Sequence, residues 1–168
     1  MKTRKMFVLL VVCLLAGASA ASASGIDAKA AFEKLKGLAG TWAGSTSEEG
    51  MQATVVFAVT ANGSVVMETM FPGTPHEMIN MYHMVGKDLV ATHYCAAGNQ
   101  PSFKLDAAAS DADQLVFAFN GGSGFDPAKD MHIHSGKLSW KDNTLHAEWA
   151  AHAGGKAAMT NAFTLTRQ

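Results

Sequence analysis

Cysteine is nearly absent: the 168 residues contain two, Cys13 and Cys95. Cys13 lies in an N-terminal stretch with the make-up of a cleaved segment, which leaves Cys95 as the one remaining thiol. An internal disulfide is then excluded, and the fold must rest on its core even in an oxidising compartment. Charge is also sparse, at 16% of residues with a formal net charge of −1. No basic stripe occurs, which sets aside electrostatic binding of nucleic acid. The N-terminal apolar run, Met6–Leu15, is about ten residues long, too short for a bilayer span of roughly 20. The chain has no C-x-x-C, no H-E-x-x-H and no C-x-x-C-H. Its glycine-rich stretch lacks the Gly-Lys-Ser/Thr of a phosphate loop. After residue 25 there is no linker, repeat or low-complexity segment.

What is present begins with an export signal. Lys2, Arg4 and Lys5 precede the apolar run, and Ala16–Ser24 is built of small residues. That order predicts a secretory signal peptide of the bacterial type, cleaved after Ala20 or Ala23. Val12 stands directly before Cys13 where a lipobox requires a small residue, so lipidation is not expected. The expected organisation is a signal peptide over residues 1–24 and one domain over 25–168. The mature protein would be periplasmic or secreted, without a stable membrane anchor. Its oligomeric state is not legible.

Ala28–Leu38 reads as a short helix, with Ala31, Leu35 and Leu38 near helical spacing and Asp27 as N-cap. From Thr41 the pattern changes to short runs: Trp42–Ser47, Ala53–Thr60, Ser64–Phe71, Glu77–Val85, Leu89–Cys95, Phe103–Ala108, Gln114–Asn120, Met131–Trp140, Thr144–Ala151 and Ala157–Thr166. Tight turn signals such as Ala61-Asn62-Gly63, Lys141-Asp142-Asn143 and Gly154-Gly155 join several of them. About ten strands in chain order predict a mostly β, antiparallel up-and-down barrel, since closure removes the exposed edges of so long a meander. An open twisted sheet or a two-sheet sandwich is the competing arrangement. The Gly121–Asp130 connection is long and glycine-rich, with Asp126-Pro127 suited to start one helical turn. It is expected at the barrel mouth.

Two stretches resemble known proteins. Leu38-Ala39-Gly40-Thr41-Trp42 resembles the Gly-x-Trp entry of lipocalin-like (calycin) barrels. That resemblance implies a Trp42 packed across the closed end against Arg167, a cation–π contact, and gives both residues a structural role. Thr92–Pro101, with Met81-Tyr82-His83 before it and Phe125-Asp126-Pro127 after it, is similar to a group of small exported bacterial proteins that carry a domain-of-unknown-function label. The likeness extends over essentially the mature chain and implies no activity.

Period-two alternation puts Leu89, Ala91, His93 and Cys95 on one strand face. With Lys87-Asp88 as the hairpin tip, Tyr82 would lie opposite His93 and Asn80 opposite Cys95. Asn80, Tyr82, His93 and Cys95 are therefore the candidate ligand-binding residues, polar groups in an otherwise apolar cavity. The favoured reading is a binder of a small, largely apolar ligand. The alternative is a metal- or haem-binding barrel: His132 and His134 share a strand side, and His93 or Cys95 could supply a third ligand. Met67, Met70, Met78, Met81 and Met84 add a softer option, Cu(I), although methionine also fills irregular cores. Haem would be held non-covalently by one axial histidine. A third class is a structural or interaction domain with a filled core. Catalysis is not favoured, because His93 and Cys95 stand about 7 Å apart along a strand and no acid is placed to orient a base.

Overall fold

Helix α1 (Ala28–Gly37) starts where the Asp27 side chain accepts hydrogen bonds from the amides of Lys29 and Ala30, at 2.9 and 3.3 Å. This N-cap satisfies two of the donors every helix start leaves open. The computed structural model describes residues 25–168, so the stretch expected to be a signal peptide, residues 1–24, lies outside the described residues. Ala31, Phe32, Leu35 and Leu38 turn one face of the helix into the core. The amide of Ile26 is held by the Ser110 carbonyl at 3.1 Å, and Leu38 leads straight into the first strand. The helix therefore lies across one end of the molecule.

Ten strands follow: β1 (Gly40–Thr46), β2 (Gln52–Thr60), β3 (Val65–Met70), β4 (Met78–Val85), β5 (Asp88–Tyr94), β6 (Gln100–Leu105), β7 (Gln114–Ser123), β8 (His132–Lys141), β9 (Thr144–Ala153) and β10 (Lys156–Arg167). Each pairs antiparallel with its neighbour in sequence, and β10 returns to β1, so the sheet closes as an up-and-down barrel. Closure rules out the open sheet and the sandwich. Alternate side chains point inward: Val55 and Phe57 on β2, Leu89, Ala91 and His93 on β5, and Leu145, Ala147, Trp149 and Ala151 on β9 are all buried.

At the helix-covered end, the Arg167 guanidinium lies 4.4 Å from the Trp42 ring centroid and donates to the carbonyls of Ala39 (2.6 Å) and Gly37 (2.9 Å). The Trp42 indole N–H donates to the Leu38 carbonyl at 2.8 Å. Helix end, first strand and last strand are thus joined by one arginine and one tryptophan. The other end is open, bounded by the β1–β2, β3–β4, β5–β6, β7–β8 and β9–β10 connections.

Three local expectations are corrected. The β4–β5 hairpin turns at Gly86-Lys87, not Lys87-Asp88, so Asn80 lies opposite His93 and Tyr82 opposite Ala91. Gly86 has φ 59°, a left-handed conformation that glycine adopts without steric cost. Moving the turn by one residue moves each partner by two, which preserves the face. Next, β5 ends at Tyr94, and Cys95 opens a turn closed by the Gly98 amide on its carbonyl at 2.9 Å. Last, β7 runs on through Ser123, so the connection at the mouth is shorter than expected. Gly121 and Gly122, at φ 88° and 153°, carry an irregularity against Pro101–Phe103 that residues with a Cβ would resist.

Gly136 on β8 stands opposite Trp149 on β9, and a Cβ there would come within 2.2 Å of the indole Cζ3. Gly136→Ala must displace a buried ring and is expected to cost about 1–3 kcal/mol by overpacking. In a Trp149→Phe background the penalty should shrink. Urea unfolding of the four proteins in the cycle measures this coupling, and strict additivity would refute it.

Candidate functional site

The inner wall formed by β3, β4 and β5 carries a hydrogen-bonded polar file. Glu68, Asn80, Tyr82 and His93 occupy in-phase positions on these strands, and each is at most 1% exposed. The Tyr82 hydroxyl donates to Glu68 Oε2 at 2.6 Å and the Asn80 Nδ2 donates to the same oxygen at 2.7 Å. Asn80 Oδ1 lies 2.7 Å from His93 Nδ1. Because the amide nitrogen is committed to the carboxylate, its oxygen must accept, and His93 Nδ1 carries the proton. Nε2 is then left with a lone pair.

Burial dominates the acid–base properties of this file. It raises the Glu68 pKa, against the lowering effect of the hydrogen bonds from Asn80 and Tyr82. It also raises Tyr82 well above the usual phenol range, helped by the neighbouring Glu68 charge. Burial pushes the His93 imidazole down to about 4, so this ring is neutral at physiological pH.

A pH prediction follows for His93. Below about 6.5 the unfolded chain binds a proton on this imidazole, whereas the folded ring takes one only near 4. Stability should therefore fall as pH drops through that window, by about 3 kcal/mol for this group. The other titratable groups of the file are Tyr82 on the adjoining β4 and Glu68 on β3, and both are retained in a His93→Gln variant. Comparing wild type and variant by urea unfolding between pH 7 and pH 4 isolates the His93 contribution. Parallel profiles would refute it.

Two inward side chains, one in this file and one against it, are not among the candidates read from the sequence. Glu68 is in phase with Val66 and Met70, and a charged residue on an otherwise apolar strand face was the available signal. Trp149 is in phase with Leu145, Ala147 and Ala151, and its ring stacks on His93 with 6.2 Å between centroids and 22° between planes. Of the four candidate ligand residues, Asn80, Tyr82 and His93 come together on the inner face. Cys95 lies half-buried in the β5–β6 turn and does not join the hydrogen-bonded file.

His132 and His134 meet at the open end, with His132 Nε2 and His134 Nδ1 3.0 Å apart. His152 stacks on His134 at 3.7 Å between centroids, 7° from parallel. Phe119 and Phe125 pack against the same rings. Among the described residues no three His, Cys, Asp or Glu side chains converge as a metal set.

A cavity of about 390 Å³ opens at the mouth, lined by Met51, Phe71, Met78, Asn161 and Phe163 together with polar groups of the β1–β2 and β3–β4 connections. Its wall meets the buried file at Met78, two residues from Asn80 on the same face of β4. The Gly124–Met131 connection stands at the same end, where the Gly154 amide donates to the Lys129 carbonyl at 3.2 Å and Asn99 Nδ2 to the Met131 carbonyl at 2.8 Å. Within it, Asp126 accepts from the Asp130 amide at 2.8 Å, one helical turn. No protein-family model matches the chain, and a search of curated proteins finds no match to it.

Proposed function

We propose that this protein is an exported, lipocalin-like barrel that takes a small, largely apolar molecule through its open end. The cavity at the mouth carries the reading: about 390 Å³ with Met, Phe and Asn walls matches the usual scale and make-up of small-ligand sites, about 300–1,000 Å³. The lipocalin-like assignment is supported by the Gly40-Thr41-Trp42 strand entry and the Arg167 stack over Trp42. Export is supported by the basic start, apolar run and small-residue stretch of residues 2–24. Met51 and Met78 in its lining suit a site that adapts to its occupant.

One observation favours a second reading. An imidazole with Nδ1–H held by an amide oxygen and a bare Nε2 has the outer-sphere support typical of metal-bound histidine, so metal or haem at His93 is the runner-up. Native mass and ultraviolet–visible spectra of the exported protein, before and after denaturation, separate the two. A co-purifying organic mass supports the apolar binder, whereas a metal adduct or Soret band reverses the order. For protein that emerges empty, titration with the neutral apolar fluorophore N-phenyl-1-naphthylamine should saturate. Asn161→Trp, which fills the mouth, should weaken that binding about ten-fold, or about 1.4 kcal/mol. Lack of saturable binding by wild type would sink the proposal.

A further inference from the structure

Two polar atoms in the barrel core lack a partner among the described residues: Nε2 of His93 and the indole Nε1 of Trp149. Both side chains are nearly inaccessible, at 1% and 3% exposure, and their rings are stacked neighbours. A buried polar group without a partner costs about 1–3 kcal/mol, so two such groups side by side call for an explanation.

Their chemistry is complementary. An indole nitrogen only donates. His93 Nε2 only accepts while Nδ1 keeps its proton for Asn80 Oδ1, a tautomer set by the chain from Glu68 through Asn80. The core thus holds one open donor and one open acceptor. A hydroxyl carries both complements, a proton to donate to Nε2 and lone pairs to accept from the indole N–H. An ionised carboxylate cannot, because it would set its own lone pairs against that of Nε2. The surroundings also offer an anion no partner, because no Lys or Arg is buried among the described residues.

Resting on the apolar-ligand reading above, we infer that the ligand is a neutral, hydroxyl-bearing molecule of the alcohol or phenol class, its hydroxyl recognised by His93 Nε2 and Trp149 Nε1. Its apolar part extends past Met78 into the mouth cavity. His93 and Trp149 do not line that cavity; Met78 does and sits two residues from Asn80 on the same face of β4, so the proposal requires this flexible thioether side chain to move aside.

The test compares 1-nonanol with nonanoate on the purified protein at neutral pH, by calorimetry and by tryptophan fluorescence. The alcohol should bind at least about ten-fold more tightly. His93→Phe and Trp149→Phe should each reduce that preference while leaving N-phenyl-1-naphthylamine binding in place. In unaltered protein, nitrogen-15 spectra should show the His93 Nε2 resonance move upfield when nonanol binds, as expected for a lone pair accepting a hydrogen bond. Equal binding of alcohol and carboxylate overturns the inference while sparing the apolar-ligand reading. So does a His93 Nε2 resonance that nonanol leaves unmoved, which would mean that water alone serves the pair. Absence of binding by nonanol, nonanoate and the fluorophore alike overturns both.

Discussion

Trp42→Ala is expected to destabilise the protein by about 3–5 kcal/mol, the range for truncating a buried aromatic. The indole is 3% exposed, its N–H is bonded to the Leu38 carbonyl, and it supports the Arg167 guanidinium. Truncation removes all three contributions at the seam where β1 meets β10. Against a typical total of about 5–15 kcal/mol, such a loss would leave the barrel marginal. Arg167→Met should cost less, about 1–2 kcal/mol, because the arginine is exposed and its bonds compete with water. Chemical denaturation of both variants checks the order. A Trp42→Ala loss below that of Arg167→Met would show that the closed end is not organised around the indole.

Glu68→Leu should be the most damaging change in the polar file. It removes the acceptor shared by Asn80 Nδ2 and Tyr82 Oη, leaving two buried donors open at about 1–3 kcal/mol each. Glu68→Gln keeps an acceptor oxygen and should recover most of that loss. The same pair of variants reports on the histidine, because Glu68 fixes the orientation of the Asn80 amide. In Glu68→Leu the amide is free to turn over, and the His93 nitrogen-15 shifts should lose the signature of a single Nδ1–H tautomer. The pH dependence separates glutamate from glutamine. Burial raises the Glu68 pKa from 4.5, so the folded protein keeps a proton that the unfolded chain has released. Wild-type stability relative to Glu68→Gln should therefore be greatest below about 4.5 and fall as pH rises beyond it. A relative stability that rises with pH would show that the carboxylate is stabilised in its charged form.

The extent to which this site was legible depends on the range of each interaction. His93 could be grouped with Leu89 and Ala91, and Tyr82 with Asn80, because alternation along a strand is a property of neighbouring residues. Their partners could not be assigned, because pairing turns on where Gly86 places the hairpin, and a one-residue move of the turn changes every partner. Glu68 was concealed by a different cause. Its strand reads as apolar, and only contact with Asn80 and Tyr82, 12 and 14 residues away, makes a buried carboxylate tolerable. Cys95 was drawn onto the β5 face by extending alternation past the point where Gly98 turns the chain.

By itself, the sequence determined the number and order of the strands and the N-capped helix before them, and it showed which β5 residues share a face up to His93. These are local matters of periodicity, capping and turn chemistry, set within a few residues. Tertiary structure decided the closure of β1 on β10, across which Arg167 reaches a carbonyl 130 residues away, and the register that places Asn80 against His93. It also brought Trp149 from β9 against a histidine on β5. Which polar atoms end up buried together, and which of them lack a partner, depends on how the closed sheet sets distant strands against one another, a relation that no short window of sequence contains.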